Sequence, residues 1–407
     1  MPRSRQRSSV CWALPALGIL AFTSCTPGNL GESTTGWSPA TANDGVVYVA
    51  SQKGELKALI DNGFDGVETK WTFSGPENQL QGVYNPPVVG RNLLYFSGHG
   101  EEDGTLFAID KESGTLGGRG WSSTIGSSGD KKRDHLVSGP AVDETIGIVV
   151  VGSEDGKLYA YDSDTGVELW QFAAEDKIWS SPVIDGNTVY FGSHDNNIYA
   201  VNVKTGAEKW RFSTEGTVVA KPLVSRGMVF IGSFDRKFYA LDADSGNEIW
   251  KFEGASNWYW AGAVASNSAI FAASMDGNVY ALDLAGNLLW QHSMGSPIVS
   301  TPALLPSGLV VASRGGKISL LNRIPGDIGL AREISSLSIA PADIRASIFA
   351  LPVGEHNLSQ TGIQSTGDDQ RESVFIGARD GTVRRIQIKS GQTLVWCFDM
   401  EEGDACK

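Results

Sequence analysis

The hydrophobic residues of this chain occur in short runs of about four or five, separated by turns rich in Gly, Asp, Asn and Ser. The runs are rich in β-branched and aromatic residues, as in 189–191 and 198–201, and they predict β-strands. The polar residues between these two runs tolerate positive φ angles and predict a tight hairpin turn. In the following run, Trp210 and Phe212 alternate with polar residues, so both rings lie on one face of a strand.

The whole pattern repeats along the chain. Trp170, Trp210, Trp250 and Trp290 are spaced 40 residues apart, and each ends a copy of the same sequence. Four antiparallel strands in about 40 residues form one blade of a β-propeller. A single blade cannot bury both of its faces, so the copies must stack on one another and close a ring.

Weaker copies flank the four central ones. Two upstream copies end at Trp71 and Trp121, a seventh copy lacks its Trp, and an eighth ends at Trp396. We therefore predict an all-β fold over residues 37–398, an eight-bladed β-propeller of four-stranded antiparallel blades, with seven blades as the alternative. The polar stretch 354–373 predicts a surface loop in the eighth copy. The recurring acids are expected to be hairpin-turn residues: Asp155, Asp195, Asp235, Asp276 and Asp380.

The repeat resembles that of the pyrroloquinoline-quinone-like (PQQ-like) β-propellers. The resemblance rests on the Val-Tyr-Phe-Gly-Ser run at 189–193, the Tyr-Ala-Leu-Asp segment at 239–242 and the Trp-x-Phe endings. It covers nearly all of residues 37–398. It implies that one Trp of each copy packs between neighbouring blades: Trp71, Trp121, Trp170, Trp210, Trp250, Trp290 and Trp396.

The first 24 residues have the layout of a secretion signal, because Arg3, Arg5 and Arg7 precede an apolar run too short to span a bilayer as a helix. Residues 22–25 resemble a bacterial lipobox, although Phe22 stands where Leu is usual. This implies a lipidated Cys25, with ordinary signal cleavage nearby as the alternative. Residues 25–36 then predict a lipidated, flexible tether.

Two further cysteines, Cys397 and Cys406, remain once the signal is removed. An oxidising compartment favours a disulfide between them, which would attach a C-terminal tail, 399–407, to the last blade; two free thiols are the alternative. The net charge of −13 argues against nucleic-acid partners and anionic membrane surfaces. We therefore expect membrane attachment only through the lipid anchor.

The sequence contains no evident catalytic constellation. Its five histidines are scattered, and neither His-x-x-x-His nor Cys-x-x-Cys occurs. Quinoprotein dehydrogenases use this repeat, and many carry adjacent cysteines against the quinone, which this chain lacks. We expect a protein that is not an enzyme and holds no metal. PQQ and Ca²⁺ would be its cofactors only if it were an exported dehydrogenase or a degenerate relative.

Departures from the repeat are the better candidates for function. In a propeller of this topology, the loop into the first strand and the second hairpin turn of each blade share one face. Several aromatic residues outside the repeat series precede first strands and predict a partner-binding surface there: Tyr84, Trp179, Trp258, Tyr259 and Trp260. The alternative is that they close the central channel.

Lys221 takes the place that Ser181 holds in the preceding copy. We expect its amine to face the channel and to anchor an acidic group of a partner. A solvated or internally paired Lys is the alternative.

A lipid-anchored single propeller of this length resembles the outer-membrane β-barrel assembly lipoproteins of the BamB type. The resemblance implies an exported scaffold at the outer membrane, facing the periplasm, whose partner is a component of the barrel-assembly machinery. Two alternatives stay open: the PQQ-dependent dehydrogenase and a surface ligand-binding or sensor propeller.

Overall fold

Each apolar run of the repeat forms one strand, and successive strands form an antiparallel sheet. The computed structural model describes residues 40–50, 54–76, 80–100, 104–125, 136–323, 329–330, 333–339, 343–344, 348–350, 372–378, 382–388, 393–400 and 404–406. Cys25, Asp380 and nearly all of the predicted loop 354–373 lie outside these ranges. Within them, the strands form eight sheets, so the prediction of eight blades is confirmed.

The strands are numbered β1 to β34 in chain order. Those that begin in the first four blades are β1 Ala40–Asn43, β2 Val46–Ala50, β3 Leu56–Asp61, β4 Val67–Phe73, β5 Val88–Val89, β6 Leu93–His99, β7 Gly104–Asp110, β8 Trp121–Ile125, β9 Ala141–Asp143, β10 Ile148–Gly152, β11 Lys157–Asp162, β12 Glu168–Ala173, β13 Val183–Asp185, β14 Thr188–Gly192, β15 Asn197–Asn202 and β16 Glu208–Ser213. The others are β17 Leu223–Ser225, β18 Met228–Gly232, β19 Phe238–Asp242, β20 Glu248–Phe252, β21 Val264–Ala265, β22 Ala269–Ala273, β23 Asn278–Asp283, β24 Leu288–Ser293, β25 Ala303–Leu305, β26 Gly308–Ala312, β27 Lys317–Leu321, β28 Gly329–Leu330, β29 Glu333–Ser338, β30 Phe349–Ala350, β31 Ser373–Gly377, β32 Thr382–Gln387, β33 Thr393–Asp399 and β34 Asp404–Ala405. One 3-10 turn, Gly63–Asp65, interrupts blade 1.

Blades 1 to 6 are built from consecutive groups of four strands, β1–β4 through β21–β24. Blade 7 consists of β25–β27 and β29, while β28 pairs in parallel with β24 as a fifth strand of blade 6. Blade 8 consists of β30–β33, and β34 adds a fifth strand to it. First strands of successive blades contact one another from blade 3 through blade 8, and then on to blades 1 and 2. The first strands therefore surround a central channel, and the ring closes where β30 meets β1.

The apolar core is divided among the blade interfaces. Eight clusters of buried side chains are present, and each joins two adjacent blades, including blade 8 with blade 1. Second strands such as β10 and β14 are buried along their whole length, because both of their faces are covered. Fourth strands such as β16 bury only alternate residues. Stacking of blades, which the repeat predicted, is therefore where most apolar surface is removed from water.

From blade 1 to blade 6, a repeat tryptophan links each blade to the following one by a hydrogen bond as well as by packing. Each indole N–H donates to a backbone carbonyl at the turn after the third strand of the following blade, with N···O distances of 2.9–3.1 Å. The donors and acceptors are Trp71 to Lys111, Trp121 to Ser163, Trp170 to Val203, Trp210 to Ala243 and Trp250 to Leu284.

The same turn contains the glycine that recurs in the sequence repeat, and its contacts explain why glycine is needed there. Gly246 has a φ of +71°, and a Cβ there would lie 2.5 Å from the Trp210 ring. The four equivalent glycines of the other blades, Gly114, Gly166, Gly206 and Gly286, have positive φ and meet the preceding Trp in the same way. The turn therefore needs glycine for its backbone conformation and also for the approach of the indole.

Blade 7 lacks the repeat Trp, but its equivalent cross-strand pair still contains one large side chain. Elsewhere the Trp pairs across strands with a small residue, as Trp210 does with Ala200. In blade 7, Ser335 takes the Trp position and Leu320 takes the Ala position. The large side chain has thus moved to the neighbouring strand. At the preceding interface, Trp290 is 1% exposed, and its Nε1 has no hydrogen-bond partner among the described residues.

Polar contacts reinforce the junction of blades 8 and 1. Arg385 Nη1 lies 2.8 Å from Asp61 Oδ1, and the two side chains are only 13% and 8% exposed. Lys57 Nζ donates to the Met400 carbonyl at 2.8 Å. These contacts join the two ends of the described ring without an exchange of strands between blades.

The last cysteines form a disulfide. Cys397 lies on β33, Cys406 follows β34, and their Cα atoms are 5.3 Å apart. β34 also pairs antiparallel with β33. Residues that the sequence analysis assigned to a separate tail are therefore part of blade 8.

We predict that Gly246→Ala destabilises the protein more than Gly227→Ala. Both residues have nearly the same φ, +71° and +72°, but nothing lies within 4 Å of a Cβ at Gly227. The left-handed backbone should cost both variants about 1–2 kcal/mol, and overpacking against Trp210 should add about 1–3 kcal/mol for Gly246→Ala. Urea unfolding measures both. Equal losses would show that the indole contact does not constrain the turn.

We predict that Asp61→Asn lowers the free energy of unfolding by about 3–5 kcal/mol, since it leaves the buried Arg385 guanidinium without its charge partner. The matched control is Glu112→Gln, which removes an ion pair with Lys70 on a side chain that is 68% exposed. That change should cost at most about 1 kcal/mol. Similar effects of the two variants in denaturant unfolding would contradict a role for the Asp61–Arg385 pair in closing the ring.

Candidate partner-binding site

The connector that enters each blade and the second hairpin turn of that blade lie at the same end of the ring, as expected. In blade 4, the backbone N–H of His194 donates to the Lys177 carbonyl at 2.9 Å. In blade 5, the N–H of Phe234 donates to the Thr217 carbonyl at the same distance. These bonds attach each connector to its hairpin, so side chains from both occupy one face.

The recurring Asp residues hold this arrangement. Asp195 Oδ1 accepts the backbone N–H of Asn197 inside the turn, and Oδ2 accepts both the Tyr199 hydroxyl at 2.7 Å and the N–H of Glu175 in the connector. Burial and the bond to Asp195 raise the pKa of Tyr199. Asp235 and Asp276 repeat the pattern. The contacts of these carboxylates are those expected of turn residues.

Aromatic side chains of blades 4, 5 and 6 meet at this face. Trp179 and Trp260 have ring centroids 6.4 Å apart, although they belong to blades 4 and 6. Phe234, from the blade 5 hairpin, lies 5.7 Å from Trp260 and stacks on Trp258 at 4.7 Å. His194 meets Trp179 edge-on at 4.4 Å. We call these five residues the aromatic rim.

Glu154 extends the rim toward blade 2. Its carboxylate accepts the Trp179 indole N–H at 2.8 Å and pairs with Lys177 Nζ at 3.5 Å. Tyr84 stacks on His99 with ring centroids 5.2 Å apart. Burial, and after it the negative charge of Glu154, raises the pKa of Tyr84. Tyr84 thus packs on a residue of its own blade, blade 2.

Tyr259 does not belong to this surface, and its assignment to the partner-binding face was wrong. Its side chain is 0% exposed and packs between blades 5 and 6, 5.4 Å from the Phe238 ring. Gly232 makes room for it, since a Cβ there would lie 2.2 Å from the Tyr259 Cβ. Ile178 and Val218 are buried at the equivalent place in their own connectors. Tyr259 thus anchors the connector that presents Trp258 and Trp260.

Lys221 belongs to a ring of residues that each lie two positions before a first strand. We call this set the channel ring: Gly139, Ser181, Lys221, Gly262 and Thr301. Neighbouring members contact one another, since the N–H of Gly139 donates to Ser181 Oγ at 3.0 Å and the N–H of Gly262 donates to Thr301 Oγ1 at 3.1 Å. Lys221 carries the one charged side chain of this set. It is exposed, yet burial among protein atoms lowers the pKa of its amine.

Sequence reasoning missed His194, Phe234 and Glu154. All three follow the buried Ser of the second hairpin, a position that varies from copy to copy. Met275 and Arg314 occupy it in blades 6 and 7. That variation inside an otherwise regular turn was a usable signal.

Among the described residues, no three His, Cys, Asp or Glu side chains gather as they would around a metal ion. The carboxylate of the rim, Glu154, already accepts the Trp179 indole N–H and pairs with Lys177.

Comparison with known proteins places the chain in a family. Residues 136–405, well over half of the chain, match the family model for the β-propeller of the beta-alanine-activating enzyme. The chain belongs to this β-propeller family. No curated protein sequence matches it.

Two solved structures share the family's architecture. BamB from Moraxella catarrhalis is 17% identical, with a TM-score of 0.59, and the match covers 77% of this chain and 85% of that one. The computationally designed protein Ika8 is 16% identical, with a TM-score of 0.65, and the match covers 87% and 97% of the two chains. At these identities the likeness shows the fold alone.

In the part of the chain that the structure describes, no helix has the length and apolar character needed to cross a membrane.

We predict that protonation of His194, a member of the aromatic rim, lowers the free energy of unfolding at acidic pH. Burial lowers the pKa of this ring below its usual 6.5, whereas Asp176, Glu154 and Asp195 partly oppose the shift. The unfolded chain therefore binds the proton first. Stability from the neutral ring is present above about pH 6.5 and is lost as the pH falls through the folded-state pKa. Between about pH 7 and pH 5, the wild type should lose more unfolding free energy than His194→Gln in urea titrations. Parallel losses would contradict this assignment.

Proposed function

We propose that this chain is a non-enzymatic scaffold that binds a protein partner through the aromatic rim. The carrying observation is that Trp179, Phe234 and Trp260 converge at one face although they come from three different blades. None of the three belongs to the tryptophan series that joins the blades.

The rim has the composition of a binding hot spot. Trp258 is 39% exposed while its ring stacks on Phe234, and Trp179 and Trp260 are partly exposed. Large aromatic side chains contribute most to protein interfaces when they are covered by a partner. The exposed part of the rim therefore supplies apolar area that a partner can bury.

The rim is also preorganised. Glu154 fixes the Trp179 indole, and hydrogen bonds to the hairpins fix the connectors. Side chains that are already ordered lose little conformational entropy when a partner binds. This favours a receptor surface over a loose channel plug.

We further propose an envelope location with a BamB-like role in outer-membrane β-barrel assembly. The support is the signal-like N-terminus with Cys25, the fold shared with BamB from Moraxella catarrhalis, and the Cys397–Cys406 disulfide, which suits an oxidising compartment. In this proposal, the lipidated Cys25 holds the propeller at the outer membrane, facing the periplasm. The partner is then a component of the barrel-assembly machinery.

The test is site-specific photo-crosslinking in the native envelope. A benzophenone amino acid replaces Trp258 in one variant and Lys204 in the control, because Lys204 is exposed on a turn at the opposite end of the ring. We predict that position 258 captures one dominant envelope protein and position 204 does not. Adding Trp260→Ala should reduce capture roughly 30-fold, the effect of losing about 2 kcal/mol at a hot spot.

Equal capture at both positions, or none at position 258, would contradict the scaffold proposal. A captured protein unrelated to barrel assembly would support the scaffold but contradict the BamB-like role. Capture of a small molecule alone would favour the ligand-binding or sensor alternative.

A further inference from the structure

The connectors into blades 4, 5 and 6 carry Trp179, Lys221 and Trp260 in turn, and we call the sector of the face that these connectors form the recess. Trp179 precedes the first strand of blade 4 and Trp260 that of blade 6, so the two rings approach each other on either side of blade 5. Lys221 lies in the connector of blade 5 itself, two residues before β17. The lysine therefore belongs to the sector that the two tryptophans flank.

The next member of the channel ring, Gly262, packs closely against Lys221. Gly262 has no side chain, and a Cβ there would lie 3.4 Å from the Lys221 Cβ and 3.3 Å from its carbonyl oxygen. Gly262 directs its N–H to Thr301 instead. A ligand that reaches the Lys221 amine would thus meet glycine and hydroxyl groups on this side.

Lys221 has no ionic partner within the described structure. Two other lysines of this face do have ionic partners, Lys177 with Glu154 and Lys237 with Glu215. Burial is the one cause that lowers the pKa of Lys221, with no contribution from a neighbouring charge. In a chain of net charge −13, an exposed lysine without an ionic partner in the described structure is complementary to an incoming anion.

We propose that the recess binds an acidic side chain of the partner, whose carboxylate pairs with Lys221 while an adjacent aromatic or other apolar residue packs on Trp179 and Trp260. This inference deepens the proposed function and rests on it. The partner element is thus a loop with an Asp or Glu next to an apolar residue. Carboxylate and ammonium form a charge-assisted hydrogen bond, which is stronger where surrounding aromatic rings exclude water.

Short blocked peptides test the chemistry on the purified full chain. The probe is acetyl-Gly-Phe-Asp-Gly-amide, and the neutral control has Asn in place of Asp. Binding is followed by NMR of the indole N–H groups of Trp179 and Trp260. We predict that the Asp peptide binds about tenfold more tightly than the Asn peptide, as expected for a hydrogen bond between charged groups.

Lys221→Met should remove that difference and leave binding of the Asn peptide unchanged. Lys204→Met removes the same charge from an exposed turn and should keep the tenfold preference. Because the Lys221 side chain makes no described hydrogen bond or ion pair, the variant is expected to fold, and its unfolding midpoint checks this. Equal binding of the two peptides, or an unchanged preference in Lys221→Met, would overturn the inference.

A third peptide, acetyl-Gly-Phe with a free carboxylate, tests whether the site prefers the C-terminus of a partner chain to an acidic side chain in a loop. Tighter binding of this peptide than of the Asp peptide would contradict the loop.

Photo-crosslinking at position 258 in the Lys221→Met background distinguishes the two proposals. Undiminished capture there would overturn the lysine's role but leave the scaffold intact, whereas absence of capture in the wild type would contradict the scaffold alone.

Discussion

The contact between a repeat tryptophan and the glycine turn of the following blade is the constraint on which this ring depends. It combines a buried indole, a hydrogen bond to a turn carbonyl and a backbone conformation that suits glycine, and it recurs at five blade interfaces. Because most of the apolar core lies between blades, each contact also aligns one core cluster. In blade 7, where the repeat Trp is missing, Leu320 on one strand is the large residue of the pair and Ser335 on the next strand is the small one.

The same rigidity makes the departures from the repeat useful. The Asp of each second hairpin binds its own turn, a Tyr hydroxyl and the incoming connector, so the connectors are held in place. On these fixed supports, the connectors into blades 4 and 6 carry Trp179 and Trp260, where those into blades 5 and 7 carry Val219 and Val299. The recess formed by the rim and Lys221 thus needs little reorganisation before a partner binds.

Strands and blade number were predictable because each depends on residues close together in sequence. The resemblance to PQQ-like propellers implied the inter-blade role of the tryptophans, and five of them make that contact in the described structure. The β28 strand was not predictable, since its partner β24 lies about 40 residues upstream, on the other side of three strands of blade 7 in the sequence. Tyr259 was misassigned because an aromatic residue before a first strand gives no indication of the side to which its ring points. Comparison with Ile178 and Val218 in equivalent connectors would have placed it in the core. Function is less accessible, because family membership and a likeness to BamB describe the fold, and function resides in the site.

Hydrogen–deuterium exchange tests the central claim, that the repeat builds the ring while its departures at one face bind a partner. The full chain is compared with and without a detergent extract of its native envelope. Protection should appear in peptides covering 175–181 and 254–262, and be absent from the opposite turns at 202–207 and 242–247. Protection confined to those opposite turns or to the outer strands would contradict the account.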